Sequence, residues 1–375
     1  MVKKKKLRLS KSGKTITFIF LGIFISLALI GGLYAKTNYH YKKLGYRGLA
    51  ITNIYKYNLK KLVDKEGHNK TLSTVLASKD YLDKNRDIYL SINYKEQADF
   101  TRHINELLDK GYKETEINDI IRTGTNDEVE KFIKHDYLKK VSDYLGFPYA
   151  KLSNIDRYYA YQKEEFTDND ETVVKVNIGL DLPLYDKADV ITEDKDNVLA
   201  NKYHQLGDTY IPNNLVDIDD KYCLNKNQRL VGIALESYLE MLNAATKEGL
   251  TIYIRSAYRS YKEQEELYQY YVKNYGVKKA DSISARPGFS EHQTGLVVDV
   301  AVSKTGIFTE TKEFKWMKEN AYKYGFILRY PKGKEKITTY NYEAWHYRYV
   351  GVDIAKDIVK KKLTFDEYYV MYLDK

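Results

Sequence analysis

Four side chains near the C-terminal end are of the types that build a hydrolytic metal centre. His292 and Asp299 lie in Ser290-Glu291-His292-Gln293-Thr294-Gly295-Leu296-Val297-Val298-Asp299, and Glu343 and His346 in Glu343-Ala344-Trp345-His346. A catalytic zinc takes three protein ligands at ~2.0–2.2 Å and keeps one position open for water, which leaves one of the four groups to act as a base. Seven extended residues span ~23 Å at ~3.3 Å each, so His292 and Asp299 can share a metal only if the chain folds back between them. Thr294-Gly295 is the place for that turn, because glycine accepts backbone angles other residues resist. Leu296–Ala301 then reads as a buried strand with Asp299 on the face of Val297 and Ala301. The spacing of Glu343 and His346 reads as a tight turn bringing both side chains to one side. On residue type and spacing alone, a metal site and a set of unrelated packed or surface histidines stand level. The other histidines, His40, His68, His103, His135 and His204, sit in no ligand-like context.

Elements that could carry these residues are visible upstream. Arg229–Lys247 has apolar residues at helical spacing and is ended by Glu248-Gly249; Leu250–Ile254 follows as a strand. Arg259 lies just beyond it, with Gln264 in the next helix. Trp345, Tyr347, Arg348 and Tyr349 suggest a strand positioning His346, with Trp345 assigned to packing ahead of substrate stacking. Arg329-Tyr330-Pro331-Lys332-Gly333-Lys334 reads as a charged turn at the cleft edge, able to attract an anionic glycan or peptide or simply solvated. Val352–Lys362, an amphipathic helix, and Phe365–Leu373 close the domain.

The stretch Ser290–Asp299 does not stand alone. Taken with Ser256-Ala257-Tyr258-Arg259-Ser260, Gly325-Phe326-Ile327-Leu328-Arg329-Tyr330-Pro331 and Glu343–Tyr349, it closely resembles VanY-like D-alanyl-D-alanine carboxypeptidases, zinc peptidases that trim peptidoglycan stem peptides. The resemblance covers residues 196–375. Carried over by position, it implies Zn2+ held by His292, Asp299 and His346, with Glu343 as catalytic base. It also implies Arg259 at the terminal carboxylate of the substrate, where a planar guanidinium offers two parallel charge-assisted hydrogen bonds. Ser260, Gln264 and Ser290 would supply further polar contacts. Ala257, Val297 and Ala344 depart from the glycine, alanine and proline common in the family, and none is an implied ligand. The expected fold is α+β, a zinc peptidase domain with a small antiparallel sheet flanked by helices. The expected activity is removal of the C-terminal residue of stem peptides. The rivals are an L,D-carboxypeptidase acting on tetrapeptide stems and a non-catalytic, zinc-containing wall-binding protein.

The N-terminal part reads differently. Met1–Lys14 carries Lys3, Lys4, Lys5, Lys6, Arg8, Lys11 and Lys14 with no acid, a cytoplasmic basic tail. Thr15–Ala35 follows without a charge. As a helix it spans ~31 Å, matching a ~30 Å hydrocarbon core, and the preceding positive charge places the remainder outside. Leu33-Tyr34-Ala35 lacks the small residue a cleavage site needs, so a single-pass transmembrane anchor is expected, with the catalytic domain extracellular. Residues 36–165 show a weak repeat: Gly45-Tyr46 with Ile51 and Ile54, Gly111-Tyr112 with Ile117 and Ile120, Gly146-Phe147 with Leu152 and Ile155. Its period of ~33 suits a helical array, read as a spacer ahead of a wall-binding or partner-docking surface, in which Thr125 and Glu128 open a helix running to Tyr144. Residues 166–195 read as a linker, with a valine-rich strand at Thr172–Leu180.

Composition narrows the partners. The formal charge of +9 suits an anionic lipid or cell-wall surface, and no nucleic-acid module is visible. The single cysteine, Cys223, excludes an intramolecular disulfide, and nothing around it resembles an activated thiolate site.

Overall fold

The computed structural model describes residues 23–26, 31–32, 35–186, 189–193 and 197–374. The chain divides into two compact units between Gly146 and Phe147, inside the stretch read from sequence as one helical region. Most of the span at 15–35, and the basic tail before it, lie outside the described residues. Among the described residues no helix is long and apolar enough to cross a membrane.

The first unit is helical, with Leu49–Lys56, Phe100–Asp109 and Glu114–Thr123 among its helices. The glycine–aromatic pattern has a structural basis at its first two copies: Gly45 and Gly111 turn the chain at φ +91° and +95°. Ile51, Ile54, Ile117 and Ile120 are buried on the helices that follow. Each segment is tied to the next through side chains, as in Tyr46 Oη to Gly67 O, Asn53 Nδ2 to Leu76 O and Asn118 Nδ2 to Ser91 O. The capping box of Thr125 and Glu128 forms, but its helix is Asn126–Ile133 and stops well short of Tyr144. The preceding repeat has claimed the backbone beyond it: Lys110 Nζ donates to His135 O and Leu138 N–H donates to Tyr112 Oη. Asp99, His103 and Glu130 cluster within 4.8 Å of one another, so His103 has acidic company that its sequence context did not suggest. Arg102 lies among them, 2.6 Å from Glu130 and 3.3 Å from Asp99, and supplies the positive charge.

The second unit begins with the helices Ile155–Glu165 and Asn169–Ile178. The latter replaces the expected strand at Thr172–Leu180. The signals for a helix were present: Asp168 accepts from Glu171 N–H as N-cap, and Gly179 closes the other end at φ +98°. Thr172, Val173, Val174, Val176 and Ile178 are all buried, and burial on several sides blurs the helical period that would distinguish this run from a strand. Strands β1 (Asp189–Ile191) and β2 (His204–Leu206) pair in parallel, and β3 (Leu215–Asp217) and β4 (Arg229–Val231) antiparallel. Strands β5 (Tyr253–Ser256), β6 (Val297–Ala301), β7 (Phe326–Tyr330) and β8 (Glu343–Tyr349) form an antiparallel sheet in the order β5-β6-β8-β7. The first residues of the predicted helix at Arg229 belong to β4; the helix is Gly232–Lys247. Its Tyr238 and Met241 pack with Ile254, Val298, Val300 and Phe326 into the core behind the sheet. This is the α+β architecture expected, with a small antiparallel sheet under the chemistry.

Candidate metal and substrate site

Sheet register brings the predicted residues together. On the inner strand β6, Asp299 pairs with His346 on β8 and with Ser256 on β5. His292 arrives from the turn Glu291–Thr294, which Gly295 ends at φ +65°. Any Cβ there would meet Pro212 and Val231 side-chain atoms at 3.0 Å, so the fold-back expected at Thr294-Gly295 requires glycine for angle and for space. Glu343 and His346 are joined by no tight turn; both lie on β8. Residues three apart on a regular strand face opposite sides, but between the pairs Leu328–Tyr347 and Tyr330–Glu343 the register slips. The irregularity re-aims the side chains, as bulges beside active sites do.

The result is a tight set of donors. Asp299 Oδ2 lies 3.3 Å from His292 Nε2, and Asp299 Oδ1 lies 3.2 Å from His346 Nδ1. Glu343 Oε2 is 3.5 Å from the same His346 Nδ1. His292 Nδ1 donates to Ala257 O at 2.6 Å, because a carbonyl can only accept; its Nε2 is therefore bare and faces the aspartate. His346 Nε2 points to Glu291 Oε2 at 3.5 Å, leaving Nδ1 for the centre. The His292 ring is thus held from behind by a carbonyl oxygen, as metal-ligating histidines commonly are, while His346 Nε2 only faces the Glu291 carboxylate. Asp299 Oδ1 is buried and has no hydrogen-bond partner among the described residues. A bare carboxylate oxygen facing two imidazole nitrogens fits a divalent cation, and the mixed N/O donor set suits zinc.

Electrostatics agree with that fit. Burial alone would lower the pKa of His346, but Asp299, Glu291 and Glu343 outweigh it and raise it to about 9. Burial lowers His292 and pushes the Glu343 carboxyl up. Below a pH of about 9 a proton on His346 competes with any cation. Apparent zinc affinity is therefore expected to rise about tenfold per pH unit through the neutral range, with a proton released on binding. Calorimetric titration in buffers of different ionisation enthalpy reads that proton, and an affinity indifferent to pH would contradict the site.

These residues open into a cavity of about 390 Å³ whose walls include Arg259, Gln264, Ser290, Tyr330 and Trp345. Arg259 Nη2 donates to Ser256 Oγ at 2.9 Å and Nη1 to Gln264 Oε1 at 2.8 Å. Gln264 thus holds the arginine, itself anchored through Nε2 to Ser284 Oγ and Ala285 O. Ser260 has a different task from the one expected. Its Oγ accepts from Glu263 N–H, capping the helix Tyr261–Tyr275, and donates to the Glu263 carboxylate. Ser260→Ala is expected to cost about 1 kcal/mol of stability and to leave KM unchanged; a thermal melt and steady-state kinetics together check this. Trp345, assigned from sequence to packing, is 41 % exposed and faces the cavity.

Several participants were not singled out from sequence. Glu291 is fully buried and accepts from Arg329 Nε at 2.7 Å and Arg348 Nη1 at 3.4 Å. Arg329, read as part of an exposed turn, is itself completely buried, its Nη1 2.5 Å from Asp366 Oδ2. Asn201 Nδ2 completes Asp366 at 2.8 Å. Burial would raise the Glu291 carboxyl, yet the two guanidiniums bring it down to about 2. No local sequence signal marks this network, because its members come from five separate segments.

Imidazoles, carboxylates and a guanidinium line one cavity over an antiparallel sheet, an arrangement suited to a metal-dependent hydrolase with a grip for an anionic group. Comparison with known proteins agrees. The VanY family model, described as D-alanyl-D-alanine carboxypeptidase, matches residues 227–352. Putative carboxypeptidase YodJ of Bacillus subtilis is 37% identical over 230 residues, covering 59% of this chain and 84% of that protein. A D-alanyl-D-alanine carboxypeptidase of Enterococcus faecium is 31% identical over 239 residues, covering 60% and 74%. Among solved structures, the LD-carboxypeptidase LdcB is 39% identical, covers 49% of this chain and 90% of its own, and superposes with a TM-score of 0.46. A vancomycin-resistance D,D-pentapeptidase VanY in complex with Zn(II) is 30% identical over 46% of this chain and 98% of its own, with a TM-score of 0.40. The chain belongs to the VanY family of D-alanyl-D-alanine carboxypeptidases.

Proposed function

We propose that the protein removes the C-terminal D-alanine from peptidoglycan stem pentapeptides, with zinc held by His292 Nε2, Asp299 and His346 Nδ1. The observation that carries this is the convergence of those donors, Glu343 and Arg259 on one cavity. Zinc, when bound, supplies the Lewis acidity that polarises a carbonyl and acidifies water. Arg259 is braced on one edge by Ser256 and Gln264, and its remaining N–H groups are free to grip the terminal carboxylate. That grip sets the last peptide bond at the donors rather than letting the peptide drift. Glu343, made more basic by burial, accepts a proton from the attacking water and passes it to the departing amine. A wall-binding protein without turnover would have no use for a carboxylate at this place.

A membrane anchor at residues 15–35 belongs to the same proposal. Residues 1–14 carry seven basic side chains and no acidic one, the distribution that retains a tail inside and exports the chain beyond the apolar span. The helical unit would then carry the peptidase away from the bilayer as a spacer. Incubation with defined penta- and tetrapeptide stems, with the products read by mass spectrometry, tests the activity. Loss of one D-alanine from the pentapeptide is expected; cleavage of the tetrapeptide alone would replace the D,D-reading by the L,D-reading, and no cleavage of either would end both.

A further inference from the structure

The proposed chemistry leaves one buried charge beside the cavity without a task. Lys202, in the turn before β2, is 6% exposed, and stripping water from an ammonium is costly unless its donors are used. Its Nζ donates to Thr339 O at 2.9 Å and Asp281 O at 3.4 Å. It also lies 4.6 Å from the centroid of the Tyr340 ring and 5.9 Å from that of Tyr185, within cation–π range. The Asp281 carboxylate favours the ammonium through space but does not bond it: Arg286 takes both oxygens at 2.9 and 2.8 Å, and Tyr268 Oη adds 2.8 Å. Lys202 therefore serves backbone carbonyls, and those carbonyls stand at the head of two cavity-lining segments. Ser282–Ala285 follows Asp281, and Tyr340–Glu343 follows Thr339. One other hydrogen bond joins the same segments, Asn341 Nδ2 to Ser282 O at 3.3 Å. Thr339 also holds a left-handed φ of +59°, which a non-glycine residue keeps only under constraint from its surroundings.

We propose that Lys202 is a positioning residue: its buried ammonium ties the segment 281–285 to the segment 339–343 and so holds the cavity at the spacing the peptide requires. The kinetic consequence rests on the carboxypeptidase reading; the tie itself does not. In the full-length, zinc-loaded protein, Lys202→Met is expected to raise KM for a stem pentapeptide at least tenfold, with a smaller fall in kcat because Glu343 ends one of the two segments. Zinc affinity should stay within twofold, because His292, Asp299 and His346 are held by other contacts. Hydrogen exchange should quicken at least tenfold in both segments and remain unchanged over Val297–Ala301. Lys202→Arg, which keeps a cation able to reach two carbonyls, should recover most of the KM. A KM within threefold of the parent, a loss confined to kcat, or unchanged exchange in both segments would each overturn the proposal. Should Lys202→Met not fold, Lys202→Gln, with donors for one carbonyl, decides by the same readings. A parent protein inactive on every stem peptide would remove the functional reading alone, and the exchange measurement would still decide the tie.

Discussion

Glu343→Gln is expected to lower kcat by about 10²–10⁴-fold, the range a lost general base produces, while zinc stays bound. The two effects separate because of where Glu343 sits. It touches the centre from one side, 3.5 Å from His346 Nδ1, whereas His292, Asp299 and His346 face one another directly. Glutamine keeps the shape and a hydrogen-bonding oxygen but cannot take a proton. Metal analysis after dialysis, beside product formation from a defined pentapeptide, reads both quantities. Unchanged turnover would remove Glu343 from its role. A loss of turnover accompanied by loss of zinc would make it a ligand instead.

The second large effect is expected in the buried charge network. Arg329→Met should destabilise the peptidase unit by about 3–5 kcal/mol, the usual cost of stranding a buried charge partner. Two carboxylates would be left behind, since Arg329 serves both Glu291 at 2.7 Å and Asp366 at 2.5 Å with no exposure of any of the three side chains beyond 1%. Denaturant unfolding monitored by tryptophan fluorescence is well placed to measure it, because Trp316 and Trp345, the only tryptophans, both lie in this unit. The sign of the pH dependence comes from Glu291, whose pKa falls on folding from 4.5 to about 2. Its contribution to stability is complete above the unfolded value and is lost as pH drops through that window. In the variant the stranded Glu291 can protonate, so the gap between parent and variant should narrow below pH 4.5. Glu291 also faces His346 Nε2 at 3.5 Å, so the same loss of its guanidinium partners reaches the edge of the metal site. A denaturation midpoint equal to the parent's would show that the network relaxes freely and carries little.

Much of the site was legible where its logic is local. The fold-back between His292 and Asp299 is dictated by bond lengths and a glycine, and the strand after it by a run of valines. The relation of Glu343 to His346 was not legible in the same way. Proximity was evident from the spacing, but a bulged strand and a tight turn bring residues three apart to one side equally well, and only the partner strand β7 selects between them. Trp345 looks like core by type; its exposure depends on which face of that bulge meets the cavity. The run at Thr172–Leu180 shows the same limit in the fold, since β-branched residues suit a strand by propensity and a helix once neighbours bury it on several sides.

By itself the order of residues determined the chemistry available: the donor types, a base, a guanidinium, and a glycine where the chain must reverse. Only the tertiary structure decided how those groups are held and charged. Glu291, Arg329, Arg348, Asp366 and Lys202 carry ordinary local contexts, and each becomes significant through a partner more than thirty residues away. A buried charge is stabilised by whatever opposite charge or dipole lies within a few ångströms in space, and distance along the chain does not report that separation.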